Sequence, residues 1–354
     1  MGYRSQSLTV GNRGSGHRWL GPRKSQINER PSASSRTAYY CILTIHKCQD
    51  WWVDVANRMQ DRAGCRETLE GDHMNPYSLQ DVSWVEAERL RDDAAGVVMV
   101  PFASIEGHGH HCPLGTDSWM AQAVTERAAA IAKVPFTPLI PAGVSPQHLD
   151  DRPGSLTVRE QIFIEYLRDV CRSLISNGWT KLVLVNGHEG NIPAVWNVLR
   201  RIKYETGALG VGLDIGVLMK TALDDLVENP PEELPSWHAS EIETSLMLAI
   251  DKEMVAWELA KAEYPHTPAI VASSDKFVQD AGFSKTIKFN GYQVFMPQEN
   301  SDYSYSSTVG NPERATVEKG QKMLDRFVEI AVDLCNDLKR LDVKPHTTAF
   351  NDRM

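Results

Sequence analysis

The stretch GVVMVPFAS (96–104) is short, apolar and rich in valine, which is typical of a strand buried on both faces. KLVLVNG (181–187) and LGVGLDIGVLM (209–219) have the same character. Helical patterns lie between these three predicted strands, at 116–132, 159–178 and 192–207. Because strands that alternate with helices form parallel sheets covered on both faces, the order predicts an α/β fold with a mostly parallel sheet flanked by helices.

Further elements extend this pattern in both directions. A short strand is predicted at 136–143, and it leads into a long polar loop, VSPQHLDDRPGSL (144–156). Additional helices are predicted at 83–91, 241–251 and 312–340. We therefore expect one α/β domain that spans residues 74–354.

The first 73 residues differ in composition from this domain. They are rich in Ser, Gly and Arg, and they carry 11 Lys/Arg against 7 Asp/Glu, a net charge of +4. The remaining residues carry a net charge of −13. We interpret residues 1–73 as a disordered extension or an over-extended start of the chain; an organelle transit peptide is the alternative.

The totals exclude several classes of protein. The net charge of −9 argues against a nucleic-acid partner, which would require a basic face. No apolar run reaches the roughly 18 residues that a membrane span needs. The six cysteines are scattered and form no C-x-x-C pair, so a reducing, cytoplasmic location is expected.

Two motifs follow the first two predicted strands. SIEGHGHHCPLGTD (104–117) contains Glu106, His108 and Asp117, and NGHEGN (186–191) contains His188. The carboxyl ends of parallel strands lie at one rim of a sheet, where ligands bind, so these four side chains are expected to meet. Imidazole and carboxylate ligands without thiolates suit Zn²⁺, Mn²⁺ or Fe²⁺. A carboxylate that bridges two cations would give a two-metal centre.

A third motif, WHASEIETSLMLAI (237–250), adds His238, Glu241 and Glu243 just before a helical run. Ser240 and Glu243 have the spacing of a capping box, so Glu243 is expected to cap the helix or to support a metal ligand. Glu241 at the first helical position can also favour the helix dipole.

In this order, the three motifs resemble those of the creatininase (creatinine amidohydrolase) family. Glu106–Asp117 resembles E-Q-H-G-x-H-x-P-L-G-T-D, Asn186–Asn191 resembles N-G-H-G-G-N, and His238–Met247 resembles H-A-G-E-x-E-T-S-L-M. The resemblance implies a three-layer α/β sandwich, two divalent ions (Zn or Mn, with Fe possible), hydrolysis of amide bonds and a homo-oligomer, commonly a hexamer. It also implies metal ligation by Glu106, His108, Asp117 and His188, with Asp117 bridging, and a place for His238 beside the substrate.

The sequence departs from the family's namesake at two positions. The namesake has a glutamate two residues after the histidine of the second motif, where this chain has Gly190. It has an apolar residue where this chain has Glu241, which makes Glu241 the predicted fifth ligand. Glu189 is the rival for that role, and we also consider it a catalytic candidate beside His238. Ser145, His148 and Trp237 are predicted to bind substrate.

The resulting hypothesis is a hydrolase that cleaves an amide carbon–nitrogen bond, cyclic rather than peptide, with a hydroxide bridging two metal ions. Creatinine is not the expected substrate, since the tryptophans of its pocket lack clear matches. A formamide deformylase, a lactonase or a peptidase on the same site are the alternatives, with a non-catalytic metal-binding protein as the least favoured. The aromatic-rich segment 270–307 is interpreted as a lid, a subunit contact or an ordinary surface excursion.

Overall fold

A parallel sheet of three strands forms the centre of the domain in the computed structural model, which describes residues 75–149, 152–228, 237–279 and 287–345. The strands are β1 (Val97–Phe102), β2 (Lys181–Asn186) and β3 (Leu209–Asp214), in the order β1–β2–β3. Their register is regular, with Val97 opposite Lys181 and Lys181 opposite Leu209. The predicted parallel sheet is confirmed. The expected extension at residues 1–73 lies outside the described residues.

Helices cover both faces of this sheet. The α-helices of the described residues are α1 (Trp84–Asp93), α2 (Thr116–Ala132), α3 (Glu160–Ser176), α4 (Ile192–Thr206), α5 (Ile215–Thr221), α6 (Glu241–Asp251), α7 (Ala269–Ala272) and α8 (Val317–Lys339). On one side α2, α6 and α8 pack together, and on the other side α3 packs on α4. The three-layer α/β sandwich is therefore present.

The side chains of β1 show how the sheet joins two cores. Val97 and Met99 belong to a cluster with Phe327 of α8, whereas Val98 belongs to a second cluster with Phe163 of α3. Successive strand residues point to opposite faces, and all six residues of β1 are buried. This explains the continuous apolar run in the sequence, because neither face of the strand meets solvent.

Two predicted strand segments differ in the structure. Residues 136–143 form only isolated parallel bridges, with Phe136 opposite Met99 and Ile140 opposite Phe102. Pro138 and Pro141 lie in this segment, and proline cannot donate to a ladder, so a regular strand does not form. The predicted strand at 209–219 ends earlier, at residue 214.

The early end of β3 has a local cause. The Asp214 carboxylate accepts a hydrogen bond from the N–H of Val217 over 2.8 Å, so it caps the new helix α5. The apolar residues that follow are helical. The sequence did not show this, because one short apolar run is compatible with either a strand or a helix.

The segment predicted as an aromatic-rich excursion contains a small antiparallel sheet. Its strands are β4 (Phe277–Gln279), β5 (Ile287–Phe289) and β6 (Tyr292–Val294). No helix among the described residues is long and apolar enough to cross a bilayer.

The contact between α6 and α8 depends on a glycine. A methyl group added at Gly320 would lie 1.8 Å from the carbonyl oxygen of Ser245, which is backbone and cannot move aside. We expect Gly320→Ala to lower the free energy of unfolding by about 3 kcal/mol, because overpacking forces the helices apart. Chemical denaturation measures the change. Gly212→Ala is the control, because its new methyl would meet neighbours only at 3.6 Å, and an equal loss there would contradict the packing argument.

Candidate metal centre

The candidate ligands leave the sheet at the carboxyl ends of β1 and β2. Phe102 ends β1, Asn186 ends β2, and the two residues pair across the sheet. The N–H of Gly187 donates to the carbonyl of Phe102 over 2.9 Å, which keeps the two loops together as they leave. The first two motifs therefore share one rim of the sheet, as expected.

The two asparagines of the NGHEGN motif fix the loop that carries His188. Asn191 Nδ2 donates to the carbonyl of Ala103 over 3.0 Å, and its Oδ1 accepts from the N–H of Val144 over 2.8 Å. Asn186 Oδ1 accepts from the N–H of His188 over 3.2 Å. Three loops are thus joined around the imidazole of His188.

Four of the predicted ligands meet in one buried cluster with Asp117 at its centre. Asp117 Oδ1 lies 3.1 Å from His108 Nε2, and Asp117 Oδ2 lies 3.0 Å from His188 Nδ1. Glu106 Oε2 lies 3.2 Å from the same nitrogen of His188. All four side chains are buried. The two oxygens of Asp117 therefore face two different imidazoles, as a bridging carboxylate requires.

The hydrogen bonds of the two imidazoles leave lone pairs that face carboxylates. His108 Nδ1 lies 3.1 Å from the carbonyl oxygen of Glu106, and His188 Nε2 lies 3.2 Å from that of Val144. A carbonyl oxygen only accepts, so these nitrogens carry the hydrogens and the other nitrogen of each neutral ring carries a lone pair. His108 Nε2 and Asp117 Oδ2 have no hydrogen-bond partner among the described residues. Since a divalent cation stabilises such an arrangement, the residues fit a metal.

The pKa shifts of the clustered side chains indicate that the carboxylates outweigh the imidazoles in charge. Burial lowers the pKa of the His108 imidazole, but Asp117 and Glu243 outweigh burial and raise it to about 10. Burial raises the pKa of the Asp117 carboxyl, yet His108 and His188 hold it well below its usual range. The cluster therefore favours positive charge, which imidazolium rings or bound cations can supply.

Glu241, the predicted fifth ligand, does not reach the cluster. Its Oε1 lies 2.8 Å from Lys319 Nζ, and both its oxygens accept from the N–H of Glu228 over 3.3 Å. Residues two apart on a helix point about 200° apart, so Glu241 and Glu243 cannot face the same side of α6. The structure corrects the sequence prediction on this point.

Glu243 lies beside His108 instead. Its Oε2 is 3.7 Å from His108 Nε2 and 4.0 Å from His238 Nδ1, and it accepts from the N–H of Ala239 over 2.6 Å. The expected capping box does not form, because the Ser240 side chain makes no cap hydrogen bond and Glu243 accepts from the residue before the N-cap. Burial raises the pKa of the Glu243 carboxyl to about 7, although His108 opposes the shift. Glu243, His108 and His238 form a second group suited to a cation.

His238 is held as a neutral ring at the edge of the cluster. Its Nε2 donates to the carbonyl of Gly107 over 2.9 Å, and its ring centroid lies 4.3 Å from that of His108. Burial, with the neighbouring His108 and His148, lowers the pKa of His238 well below its usual value. The lone pair of the neutral ring is therefore on Nδ1, the nitrogen nearer to Glu243.

A cavity of about 520 Å³ opens beside the cluster. Its lining also includes Gln147, Glu189, Lys220, Trp237 and Phe295. A larger groove of about 980 Å³ runs along β3 and α4, but it is mainly apolar and holds none of the clustered ligands. The smaller cavity is the candidate substrate site, because its lining includes Glu106, Asp117, His188, His238 and Glu243 of the cluster.

The other predicted site residues surround this cavity with different contacts. Glu189 lies at the rim, where its half-exposed carboxylate pairs with Lys220 Nζ over 2.7 Å, so the structure does not bring it into the cluster. Trp237 lines the cavity, with its ring 5.8 Å from that of His238. Ser145 Oγ donates to Glu106 Oε2 over 2.5 Å and is not among the residues that line the cavity.

Gly190 leaves no room for a side chain beside His188. A methyl group there would lie 2.3 Å from His188 Nε2 and 2.6 Å from the carbonyl oxygen of Val144, so it would enter the hydrogen bond between them. We expect Gly190→Ala to weaken metal binding by about tenfold, since partners of this kind orient the imidazole. A chelator competition measures the affinity. Gly115→Ala is the control, because its methyl would meet neighbours only at 3.4 Å, and unchanged binding in both variants would refute the role of Gly190.

Comparison with known proteins decides the family. The model of the family described as Creatininase, creatinine amidohydrolase, matches residues 80–335. The chain belongs to the creatininase family. A 3-dehydro-scyllo-inosose hydrolase of Thermotoga maritima is 27% identical over 255 residues, which cover 71% of this chain and 79% of that protein. The creatinine amidohydrolase of Pseudomonas putida is 25% identical over 271 residues, which cover 72% and 94%.

Solved creatininase structures support the fold of this family member. One creatinine amidohydrolase structure superposes with a TM-score of 0.58 at 24% identity and covers 75% of this chain and 99% of its own. Structures described as a manganese form and as a zinc–zinc form of an E122Q mutant have TM-scores of 0.58 and 0.57. The relatives are hydrolases, none at high identity, which agrees with a member other than creatininase itself.

Sequence reasoning missed two kinds of functional residue. It assigned Glu243 to a supporting role, although the helical period alone separates Glu241 from Glu243 and could have shown that only one of them faces the cluster. It also did not single out Lys220, because its contact with Glu189 joins two distant segments that no local pattern brings together.

Proposed function

We propose that this protein is a metal-dependent hydrolase that cleaves an amide carbon–nitrogen bond, cyclic rather than peptide, at a two-metal centre. The observation that carries the proposal is the position of Asp117, whose two oxygens face His108 and His188 separately. Glu106, Asp117 and His188 would hold one ion, and His108, Asp117 and Glu243 the other. Zinc and manganese suit this set of nitrogen and oxygen ligands.

Bound divalent ions would lower the pKa of a coordinated water and polarise the substrate carbonyl. The chain's own residues place and assist this chemistry. Glu106, Asp117 and Glu243 contribute three carboxylates, which leaves a net positive charge with two divalent ions and so stabilises a developing oxyanion.

His238 is the proposed proton carrier. Its Nε2–H is committed to the carbonyl of Gly107, which leaves Nδ1 as the nitrogen that can hold a proton during turnover. The ring lies against His108 and beside Trp237 at the cavity, within reach of a leaving nitrogen. The neutral state of the resting ring agrees with a group that accepts a proton before it delivers one.

The cavity suits a small substrate. Its volume of about 520 Å³ is within the usual range for small-molecule sites. Trp237 and Phe295 provide apolar surfaces, while Gln147 and the Glu189–Lys220 pair provide polar contacts near the mouth. The cytoplasmic location and the homo-oligomer, a hexamer by resemblance, stay predictions.

The experiment combines elemental analysis of the full-length protein with a hydrolysis panel of lactams, formamides, lactones, short peptides and cyclic ketones. We expect about two zinc or manganese ions per chain, and lactam opening that a chelator abolishes and metal restores. Turnover of another class instead would select a deformylase, a lactonase, a peptidase or an activity like that of the inosose hydrolase relative. A protein that binds no divalent metal after reconstitution would refute the proposal.

A further inference from the structure

His148 lies between a proposed metal ligand and an asparagine from a distant part of the chain. His148 Nε2 is 3.3 Å from Glu106 Oε1, and His148 Nδ1 is 3.0 Å from Asn300 Nδ2. All three side chains are buried. The 152 residues that separate His148 from Asn300 in sequence make this contact a property of the fold.

With the amide oriented as in the structure, the contact with Asn300 sets where a neutral His148 ring carries its hydrogen. An amide nitrogen only donates, so Asn300 Nδ2 requires a lone pair on His148 Nδ1. The neutral ring must then carry its hydrogen on Nε2, the nitrogen that faces Glu106. In this tautomer His148 donates to Glu106 Oε1, which leaves Oε2 directed toward His188.

The Asn300 amide has a second contact through the same nitrogen, while its Oδ1 has no hydrogen-bond partner among the described residues. Its Nδ2 also donates to Ser307 Oγ over 2.5 Å, so its two hydrogens have two acceptors. Ser307 has a left-handed backbone, with φ of 62°, which is unfavourable for a residue with a side chain. The Ser307 carbonyl accepts a hydrogen bond from the N–H of Gly109 over 2.9 Å, so this turn is hydrogen-bonded to the loop that carries His108.

Glu263 holds the loop 300–309 through hydrogen bonds. The Glu263 carboxylate accepts from the N–H of Tyr305 over 2.5 Å and from the N–H of Ser306 over 2.9 Å, and from Ser304 Oγ over 3.1 Å. The segment that the sequence predicted as a lid, a subunit contact or a surface excursion thus contains residues that contact His148 and the loop of His108.

We propose that Asn300 is a positioning residue, which fixes the Nε2–H tautomer of His148 and thereby holds the Glu106 carboxylate for metal binding. The metal part of this inference rests on the proposed function, whereas the tautomer part does not. Glu106 then has two donors, His148 on Oε1 and Ser145 on Oε2, and its carboxylate cannot rotate away from the cluster.

The test begins with the metal-free, full-length protein labelled with ¹⁵N histidine, where ring nitrogen shifts distinguish the two neutral tautomers. The signal of His148, identified by its loss in His148→Ala, is expected to show the Nε2–H form. In Asn300→Asp a carboxylate can only accept, so the Nε2–H pattern should disappear. A wild-type His148 that carries its hydrogen on Nδ1 would overturn the proposal without any variant.

The second measurement is Zn²⁺ affinity by competition with a chelator. We expect Asn300→Asp to weaken binding about tenfold. This result is diagnostic, because an added negative charge by itself would strengthen cation binding. Asn311→Asp adds the same charge but keeps its hydrogen bond from the N–H of Glu313, so it should not weaken binding.

A double variant distinguishes a positioning role of Asn300 from a general disruption of the site. If Asn300 acts through His148, Asn300→Asp combined with His148→Ala should bind Zn²⁺ as His148→Ala alone does. Additive losses, or unchanged affinity in Asn300→Asp, would overturn the proposal. Failure of the wild type to bind Zn²⁺ would refute the proposed function instead, and the tautomer of His148 would still decide the role of Asn300.

Discussion

Asp117→Asn should abolish the two-metal centre and reduce hydrolysis by about 10³-fold or more. Asp117 is the side chain whose oxygens lie at 3.1 Å and 3.0 Å from the two histidine nitrogens, so both proposed ion sites depend on it. Loss of metal assistance removes several kcal/mol of transition-state stabilisation, and each 1.36 kcal/mol corresponds to a factor of ten. Elemental analysis should show at most one ion per chain.

The asparagine variant should remain folded. It has almost the shape of aspartate, and it removes a buried charge from a cluster in which Glu106 already supplies another. Circular dichroism and thermal unfolding of the metal-free proteins test this expectation. Glu189→Gln is the matched control for metal content, since its carboxylate pairs with Lys220 at the rim. Two ions per chain in the Asp117→Asn protein would show that Asp117 does not bridge.

The parts of this fold that the sequence predicted are those with a local physical cause. Helix α2 spans residues 116–132, as predicted, because its alanine-rich run favours helix by itself. β1 and β2 were predictable because strands that are buried on both faces must be apolar throughout. The place of the site followed from topology, since parallel strands present their carboxyl ends at one rim.

The parts that the sequence did not predict depend on contacts between distant residues. The segment 136–143 has the apolar character of a strand, but its prolines interrupt pairing with β1. His148, predicted to bind substrate, contacts Glu106 on one side and Asn300 on the other. No periodicity predicts such a three-residue arrangement, because its members come from three segments that are distant in the sequence.

The choice between Glu241 and Glu243 gives the second large prediction. Glu243→Gln should remove one of the two ions and lower activity by about 10²-fold or more, because it takes a charged oxygen away from His108. Glu241→Gln should retain both ions, since its carboxylate contacts Lys319 and the backbone of Glu228. The two variants make the same chemical change two residues apart, so each controls for the other in elemental analysis.

The order of the two variants in stability should be the reverse of their order in activity, with Glu241→Gln the less stable protein. Glu241 is almost fully buried, and Lys319 is largely covered, so Glu241→Gln leaves a cation with fewer partners and should cost about 2 kcal/mol of unfolding free energy. In the metal-free protein, Glu243→Gln removes a carboxylate that burial already disfavours, so it should cost little or increase stability. Chemical denaturation in the presence of a chelator measures both. If Glu241→Gln lost an ion while Glu243→Gln kept both, the fifth ligand would be Glu241, and helix α6 would have to turn by about half a rotation from the orientation that its buried contacts define.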